Sequence, residues 1–368
     1  MRITFLLPSP GHNPVGGFKV VYEYANGLAN RGHTIFIIHP MMPIPDAPWW
    51  RNTARFFKGL LTRNHRPDAW FKLNPNIKVK FVPNLNRRWI PNADAVIASA
   101  WETAEISANY PSSKGRKYYL IQHLETWSGS EQRVNATWKL PFHKIVISRW
   151  LQDHAHQLGE DATRIPNGLD FQAFGLDVPP DSRERESVIM LYHTADWKGS
   201  WEGIAALKEA KRQIPNLGVT MFGTPPRPEG LDDWFGYHQL PPQKTLRALY
   251  NRAAIFISPS WAEGWPLPPA EAMICGCACA LTDIGGHREF GMPGETCLFS
   301  PAQDVQSLAR NIVSLVTDEE LRLKLAYQGH KYIQQFTWDR AVDAFEKILL
   351  EPPQQRLEGT AAGLTAPT

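Results

Sequence analysis

Short runs of apolar and β-branched residues alternate with segments whose apolar positions recur every three to four residues along nearly the whole chain. The runs predict strands at Arg2–Pro8, Thr34–His39, Ile77–Val82, Ala95–Ser99, Tyr118–Gln122 and Lys144–Ser148. A second set follows at Ser187–Tyr192, Gly218–Phe222, Ala254–Ser258 and Ala278–Thr282. Between the first two runs, Val20, Val21, Tyr24 and Leu28 share one face of a helix. Strand and helix in alternation imply right-handed βαβ crossovers and parallel sheets covered on both faces. The alternation occurs twice, with Asp170–Glu186, aperiodic and rich in Pro, Asp and Arg, between the two sets. The expected fold is therefore α/β, with two doubly wound Rossmann-like domains facing a central cleft. The first is expected over 1–168 and the second over 187–335. A helix over 336–351 is expected to cross back to the first domain, and 352–368, rich in Pro, Gly, Ala and Thr, is expected to be a disordered tail. In such sheets ligands bind outside the carboxyl ends of the strands, so the cleft is the expected site.

The segment 41–74 breaks the rhythm. It carries Trp49, Trp50, Phe56, Phe57, Leu60, Leu61, Trp70 and Phe71, interleaved with Arg51, Arg55, Lys58, Arg63 and Arg66. Two readings are open: a helix that caps the first domain with its aromatics, or a basic amphipathic helix lying in a membrane interface. The composition narrows the class. With 368 residues, 43% apolar and 20% charged, the chain is long enough for two cores and is neither disordered, collagenous nor a coiled coil. The chain has no uninterrupted run of about eighteen apolar residues, so no spanning helix is expected. The Met1–Pro8 run is too short for a signal peptide and reads as the first strand. A net charge of +3 suits an anionic ligand and is far from a nucleic-acid-binding balance. Cys275, Cys277 and Cys279 alternate along one segment, as reduced thiols of a cytoplasmic protein would, and Cys297 does not complete a zinc site.

The densest chemistry lies in Ser258-Pro259-Ser260-Trp261-Ala262-Glu263-Gly264-Trp265-Pro266-Leu267-Pro268-Pro269-Ala270-Glu271-Ala272-Met273. An apolar strand precedes it, and it opens a helix whose first turn accepts Pro at 268 or 269. Glu271 is expected in that first turn and Glu263 on the loop before it. Each carboxylate can accept two hydroxyls, as a ribose diol or a sugar ring offers, while N–H groups at the helix start suit phosphate oxygens. Singly, a first-turn Glu and a loop Glu are ordinary surface features.

Together with their frame they resemble something more specific. Two glutamates separated by seven residues, set among Pro-Ser, Glu-Gly, Leu-Pro and Glu-Ala-Met, resemble the signature of the retaining GT-B glycosyltransferases, the large group 1 family. Gly16-Gly17 with Leu28-Ala29 and Arg31-Gly32-His33, Ile165-Pro166-Asn167-Gly168-Leu169-Asp170, Lys198-Gly199, Gly285-Gly286 with Glu289, and Gly294 match further stretches in the family's order. The resemblance spans roughly 1–345. It implies an acceptor-binding first domain and a nucleotide-sugar-binding second domain. The implied reaction moves a hexose or deoxyhexose, with retention, from a UDP-, GDP- or dTDP-linked donor. The implied acceptor is a hydroxyl of a glycan or lipid-linked molecule, as in surface polysaccharide biosynthesis. It further implies no cofactor and no metal; Asp232-Asp233, in a Gly/Pro-rich connection, makes a poor metal motif. Lys198 would stabilise the departing diphosphate, Glu271 would hold the ribose, and Glu263 with the N–H groups of Gly264, Trp265 and Leu267 would meet the sugar. Gly16 and Gly17, expected between the first strand and first helix, let N–H groups approach a phosphate. His123, in Leu120-Ile121-Gln122-His123-Leu124-Glu125, matches the family's His near the reacting carbon, and Glu102 is a weaker candidate on the acceptor side. The expected location is cytoplasmic and, on the interfacial reading of the 41–74 segment, peripheral on the inner face of the membrane.

Two positions depart from the family pattern. His193 stands where an Arg usually serves as a second diphosphate clamp, so either the site is weaker or another cation compensates, with Arg227, Arg252 and Arg288 as candidates. Pro266 stands where Gly is common and removes one N–H donor. These departures motivate an alternative, a catalytically inactive nucleotide-sugar-binding partner subunit. A nicotinamide-dependent dehydrogenase is excluded, because Pro8–Gly17 lacks the Gly-x-Gly-x-x-Gly spacing. Tyr237, after a Gly/Pro-rich stretch, is expected near the donor base.

Overall fold

The computed structural model describes residues 1–12, 14–41, 49–63 and 65–351. In the first half, β1 (Arg2–Leu6), β2 (Thr34–Pro40), β3 (Lys78–Val82), β4 (Ala95–Ala98), β5 (Arg116–Ile121), β6 (His143–Val146) and β7 (Thr163–Arg164) form one sheet. Its order is β3-β2-β1-β4-β5-β6-β7, with every neighbouring pair parallel. In the second half, β8 (Ser187–Leu191), β9 (Gly218–Gly223), β10 (Phe235–Gln239), β11 (Ile255–Ser258), β12 (Ala278–Thr282) and β13 (Cys297–Ser300) form another, ordered β10-β9-β8-β11-β12-β13 and again parallel. The central strands are apolar without alternation because helices cover both faces; all of β4 and β12 is buried. Chain order reverses between β1 and β4 and between β8 and β11, which opens a crevice at each place.

The connecting helices are α1 (Gly16–Asn30), α2 (Trp49–Thr62), α3 (Trp101–Ser107), α4 (Glu131–Trp138) and α5 (Arg149–Gln157) in the first half. The second half has α6 (Ser200–Gln213), α7 (Gln243–Arg252), α8 (Leu267–Ile274), α9 (Val305–Thr317), α10 (Glu319–Ile333) and α11 (Trp338–Leu350). α11 returns to the first domain. Phe345 stacks on Tyr24 at 4.5 Å, and Glu346 accepts hydrogen bonds from Arg31 (2.7 Å) and His33 (2.6 Å).

Three strands escaped the sequence reading. β7 has only two residues, β13 only four, and β10 is a mostly exposed edge strand that lacks an apolar run. The 170–186 connection is also not a free linker. Arg183 is buried there and donates to the carbonyls of Ala253 (2.8 Å) and Tyr250 (3.3 Å), while Asp177 pairs with Arg247, so the segment is strapped to the second domain. All four cysteines are free and buried, and burial pushes the thiols of Cys275, Cys277 and Cys297 up to about 12.

The 41–74 insertion divides its aromatics. Phe56 stacks on Phe81 at 5.2 Å, and Trp70 and Phe71 lie 5.7 and 5.4 Å from Tyr22. Trp50, Phe57, Leu60 and Leu61 are exposed. Among the described residues no helix is long and apolar enough to cross a membrane. The expected tail at 352–368 lies outside the described residues.

Candidate active site

The segments carrying Gly16-Gly17, His123, Lys198, Gly264 and Glu271 meet where the two domains face each other. Gly16 and Gly17 do not precede the first helix, as expected, but are its first two residues. Their N–H groups are therefore among the unpaired donors of a helix start. Gly17 packs beside Gln122, whose amide donates to its carbonyl at 3.0 Å, whereas a Cβ on Gly16 would meet nothing within 4 Å.

Across the cleft, a single 3-10 turn at Asp196–Lys198 ends in Gly199 at φ +61°, where a Cβ would stand 2.1 Å from the Pro259 carbonyl. Only glycine allows that approach. It brings Lys198 Nζ to 2.7 and 2.9 Å from the two oxygens of Glu263, whose Oε1 also accepts from the Ser260 hydroxyl at 2.8 Å. Burial alone would raise the Glu263 carboxyl, but Lys198 and Ser260 outweigh it and hold the group below the usual range, ionised. The loop carrying Glu263 is pressed from below by Gly286, where a Cβ would lie 2.5 Å from the Glu263 carbonyl.

Glu271 is not in the first turn of its helix. Because Pro268 and Pro269 are tolerated at the second and third positions, α8 begins at Leu267 and Glu271 is its fifth residue. It is buried and faces the first domain, where Lys19 of α1 donates to it at 3.3 Å. Burial opposes the charge on Lys19, but Glu271, then Glu23 and Asp170, outweigh it and hold the ammonium above its ordinary range. Sequence reasoning missed Lys19. Its signal was a lone cation three residues after Gly16 in an otherwise apolar first turn.

His123 follows β5, with Trp127 and Trp150 at 4.8 and 5.6 Å. Its Nδ1 accepts from the Leu124 N–H at 2.9 Å, which leaves Nε2 as the protonated nitrogen, buried and without a hydrogen-bond partner among the described residues. Burial lowers the imidazole to about 4, although the Glu263 charge nearby opposes this, so the ring is a neutral donor at pH 7. Trp127 also stacks on Trp197 of the second domain, at 5.2 Å and 17°. Glu102 lies in the first turn of α3, and the Trp101 N–H beside it donates to Glu125 at 2.8 Å.

Glu125 was quoted in the sequence without a role. Its φ is +53°, and burial pushes its carboxyl up to about 8, against the Trp101 N–H and with the help of Glu102. Its ordinary value lies near 4.3, so the folded state holds a proton that the unfolded chain releases at neutral pH. The stability from this group is complete below about pH 4 and is lost as pH rises through 8. Glu125→Gln keeps the acceptor for Trp101 and removes the titration. Its thermal stability should exceed that of the parent by a margin growing between pH 5 and pH 8, on the order of 1 kcal/mol per pH unit. Unfolding curves at the two pH values check this, and a margin independent of pH refutes it.

The remaining candidates divide between backbone and side chain. Gly264 stands so near the first domain that a Cβ would lie 1.8 Å from the Gln122 carbonyl, and the Trp150 indole donates to the Gly264 carbonyl at 3.2 Å. The Trp265 side chain is buried against Phe290 (5.0 Å) and Phe336 (5.7 Å), so only its backbone faces the loop. Leu267 supplies the first N–H of α8. His193 is half-buried, and its Nδ1 accepts from the Ala195 N–H at 3.0 Å. Burial, then Lys198, lowers it, so it brings no positive charge at pH 7. None of the three expected compensating cations reaches the site. Arg227 is spent on the carbonyls of Phe235, Leu231 and Asp232, and Arg288 on Asp283. Arg252 lines a groove with Ser187 and Gly218, at the amino ends of the strands. Lys19 and Lys198 are the cations paired with the two glutamates. Tyr237 is pinned within the second domain, its hydroxyl donating to the Pro225 carbonyl at 2.6 Å. Glu289 adds a further tie between the domains, accepting from the Arg149 N–H (2.6 Å) and from Arg164 (2.8 Å).

Residues 180–332 match the family model described as glycosyl transferases group 1. A phosphatidyl-myo-inositol mannosyltransferase of Mycolicibacterium smegmatis is 23% identical over 369 residues, covering 92% of this chain and 90% of that protein. A serotype-specific mannosyltransferase of Escherichia coli, WbdA, is 36% identical over 125 residues, 33% of this chain but only 15% of that protein. Among solved structures, Anabaena Alr3699/HepE in complex with UDP and glucose superposes with a TM-score of 0.72 at 18% identity, over 95% of this chain and 99% of that one. The two facing parallel-sheet domains are the GT-B fold, and residues 180–332, most of the second domain, match the group 1 glycosyl transferases.

Proposed function

We propose that this glycosyltransferase is a retaining, metal-independent enzyme. It moves a hexose or deoxyhexose from a nucleotide diphosphate sugar to a hydroxyl of a glycan or lipid-linked acceptor, at the cytoplasmic face of a membrane. The observation that carries the reading is the pairing of Lys198 with Glu263 (2.7 Å) on the second-domain wall of the cleft and of Lys19 with Glu271 (3.3 Å) across it. These are two carboxylates that can accept hydroxyls beside cations that can meet a diphosphate. The mannosyltransferase relatives support a hexose, and the UDP and glucose of the structural neighbour support a nucleotide-linked one.

In this reading the acceptor oxygen bonds to the anomeric carbon on the face from which the diphosphate leaves. The carbon–oxygen bond to phosphate breaks, and the acceptor proton passes to the released phosphate oxygen. No protein nucleophile is needed. Lys198 and the first N–H groups of α1 balance charge growing on the diphosphate, where a preorganised donor acts most strongly. Glu271 holds the ribose diol, Glu263 a sugar hydroxyl, and the neutral Nε2–H of His123 a polar atom beside the reacting carbon.

Calorimetry and thermal shift against UDP, GDP, ADP and dTDP, with and without magnesium, test the donor site. One diphosphate should bind irrespective of magnesium. Glu271→Ala should weaken it about ten- to a hundredfold, the worth of a charged hydrogen bond. Absence of binding by the parent refutes the reading. Release of the diphosphate from its nucleotide sugar then separates an enzyme from the inactive partner subunit that His193 and Pro266 favour.

A further inference from the structure

We propose that α2 is a docking helix that lies along an anionic lipid surface. Its fourteen residues present three faces. One is packed: Phe56 stacks on Phe81, and a Cβ on Gly59 would stand 2.7 Å from the same ring. A second is apolar and unpartnered among the described residues, with Trp50, Ala54, Phe57 and Leu61 at the spacing that stacks residues on one helical face. The three large side chains of that stripe are 57, 57 and 86% exposed. The third carries Arg51, Arg55 and Lys58, all exposed, and the helix contains no acidic residue.

An exposed aromatic stripe beside a row of cations matches the headgroup boundary of an anionic bilayer, where apolar side chains insert and basic ones meet phosphates. At roughly 21 Å the helix is too short to cross, so it lies flat. A second copy of the chain fits less well. A twofold contact through the stripe would set the two basic rows close together, like against like. Position gives the contact a purpose. The residues following α2 hold the connection that leads from β1 into Gly16: the Gly11 N–H donates to the His65 carbonyl at 3.1 Å, and the Trp70 indole donates to the Gly11 carbonyl at 2.9 Å. A docked α2 thus sets the first-domain wall of the cleft beside the lipid surface. This last step, and it alone, rests on the lipid-linked acceptor proposed above.

Co-sedimentation of the full chain with vesicles of phosphatidylcholine alone, or mixed with phosphatidylglycerol, tests the docking. The parent should bind the anionic vesicles at least tenfold more tightly than the neutral ones, and the difference should shrink with salt. Phe57→Ser with Leu61→Ser should lower vesicle affinity at least tenfold, and replacing Arg51, Arg55 and Lys58 by Gln should abolish the anionic preference. Both variants should keep the parent's melting temperature and nucleotide affinity. No binding of the parent to anionic vesicles at low salt overturns the proposal, as does unchanged binding by the Ser variant. A dimer that Leu61→Ser dissolves would assign the stripe to a second copy instead. Nucleotide binding without vesicle binding sinks only the docking helix, and the reverse sinks only the donor site.

Discussion

Lys198→Ala should lower kcat by about a hundred- to a thousandfold, the usual cost of removing one preorganised charge donor from a transition state. The geometry makes two losses at once. On the proposed reading the diphosphate loses the cation nearest Glu263, and Glu263, with an 11% exposed side chain, loses the partner that keeps it ionised. Its carboxyl should then move upward as burial prevails. A merely structural lysine would depress melting temperature and leave affinities in proportion. A lysine facing the diphosphate should weaken nucleoside diphosphate binding much more than nucleoside monophosphate binding. Turnover within tenfold of the parent, or equal losses for the two nucleotides, would count against the assignment.

Gly264→Ala should cost about a hundredfold in kcat/KM while both domains remain folded. The added methyl would lie 1.8 Å from the Gln122 carbonyl and 3.3 Å from Ile147, and the first of these is backbone that no rotamer change can move aside. Relief requires the domains to separate by more than 1 Å, and a displacement of that size is enough to misalign groups that must meet across a cleft. Nucleotide affinity should change less, because most of the proposed donor-site residues belong to the second domain. Gly218→Ala is the control: a Cβ there meets nothing within 4 Å, and activity should stay at the parent's level. If Gly264→Ala were equally silent, the close approach of the two domains would have no part in catalysis.

The central strands were legible because each is a continuous apolar run between helical patterns, and a parallel sheet with both faces covered demands that sequence. The edges were not. Residues 235–239 are largely exposed and carry no apolar run, so nothing local marks them as strand until β9 offers its backbone. Glu271 lies just past the first turn in which it is expected, for a related reason. Two prolines in a row suit a helix start, but the chain alone does not say where that start falls.

The candidate site shows the same division. Glu263, Glu271, Lys198 and Gly16-Gly17 stand in a frame of fixed spacing, so the sequence alone singled them out as candidates. Residue order also determined the two-sheet architecture, through periodicity and the chirality of βαβ units. Pairing was beyond it. Lys19 meets Glu271 across 252 positions, and Glu289 reaches Arg164 across 125, because two separately folded domains close on each other. Likewise Arg227 and Arg288 looked available as cations until the fold spent them on nearby carbonyls and a carboxylate. The aromatic insertion could be read as a cap or as an interfacial helix. Packing divides it residue by residue: among the described residues, Phe56 is covered by Phe81, and the stripe ending at Leu61 is left to solvent. Local spacing thus determined which groups this protein carries. Which charge faces which, and which apolar face stays open, was decided by contacts between segments far apart in the chain.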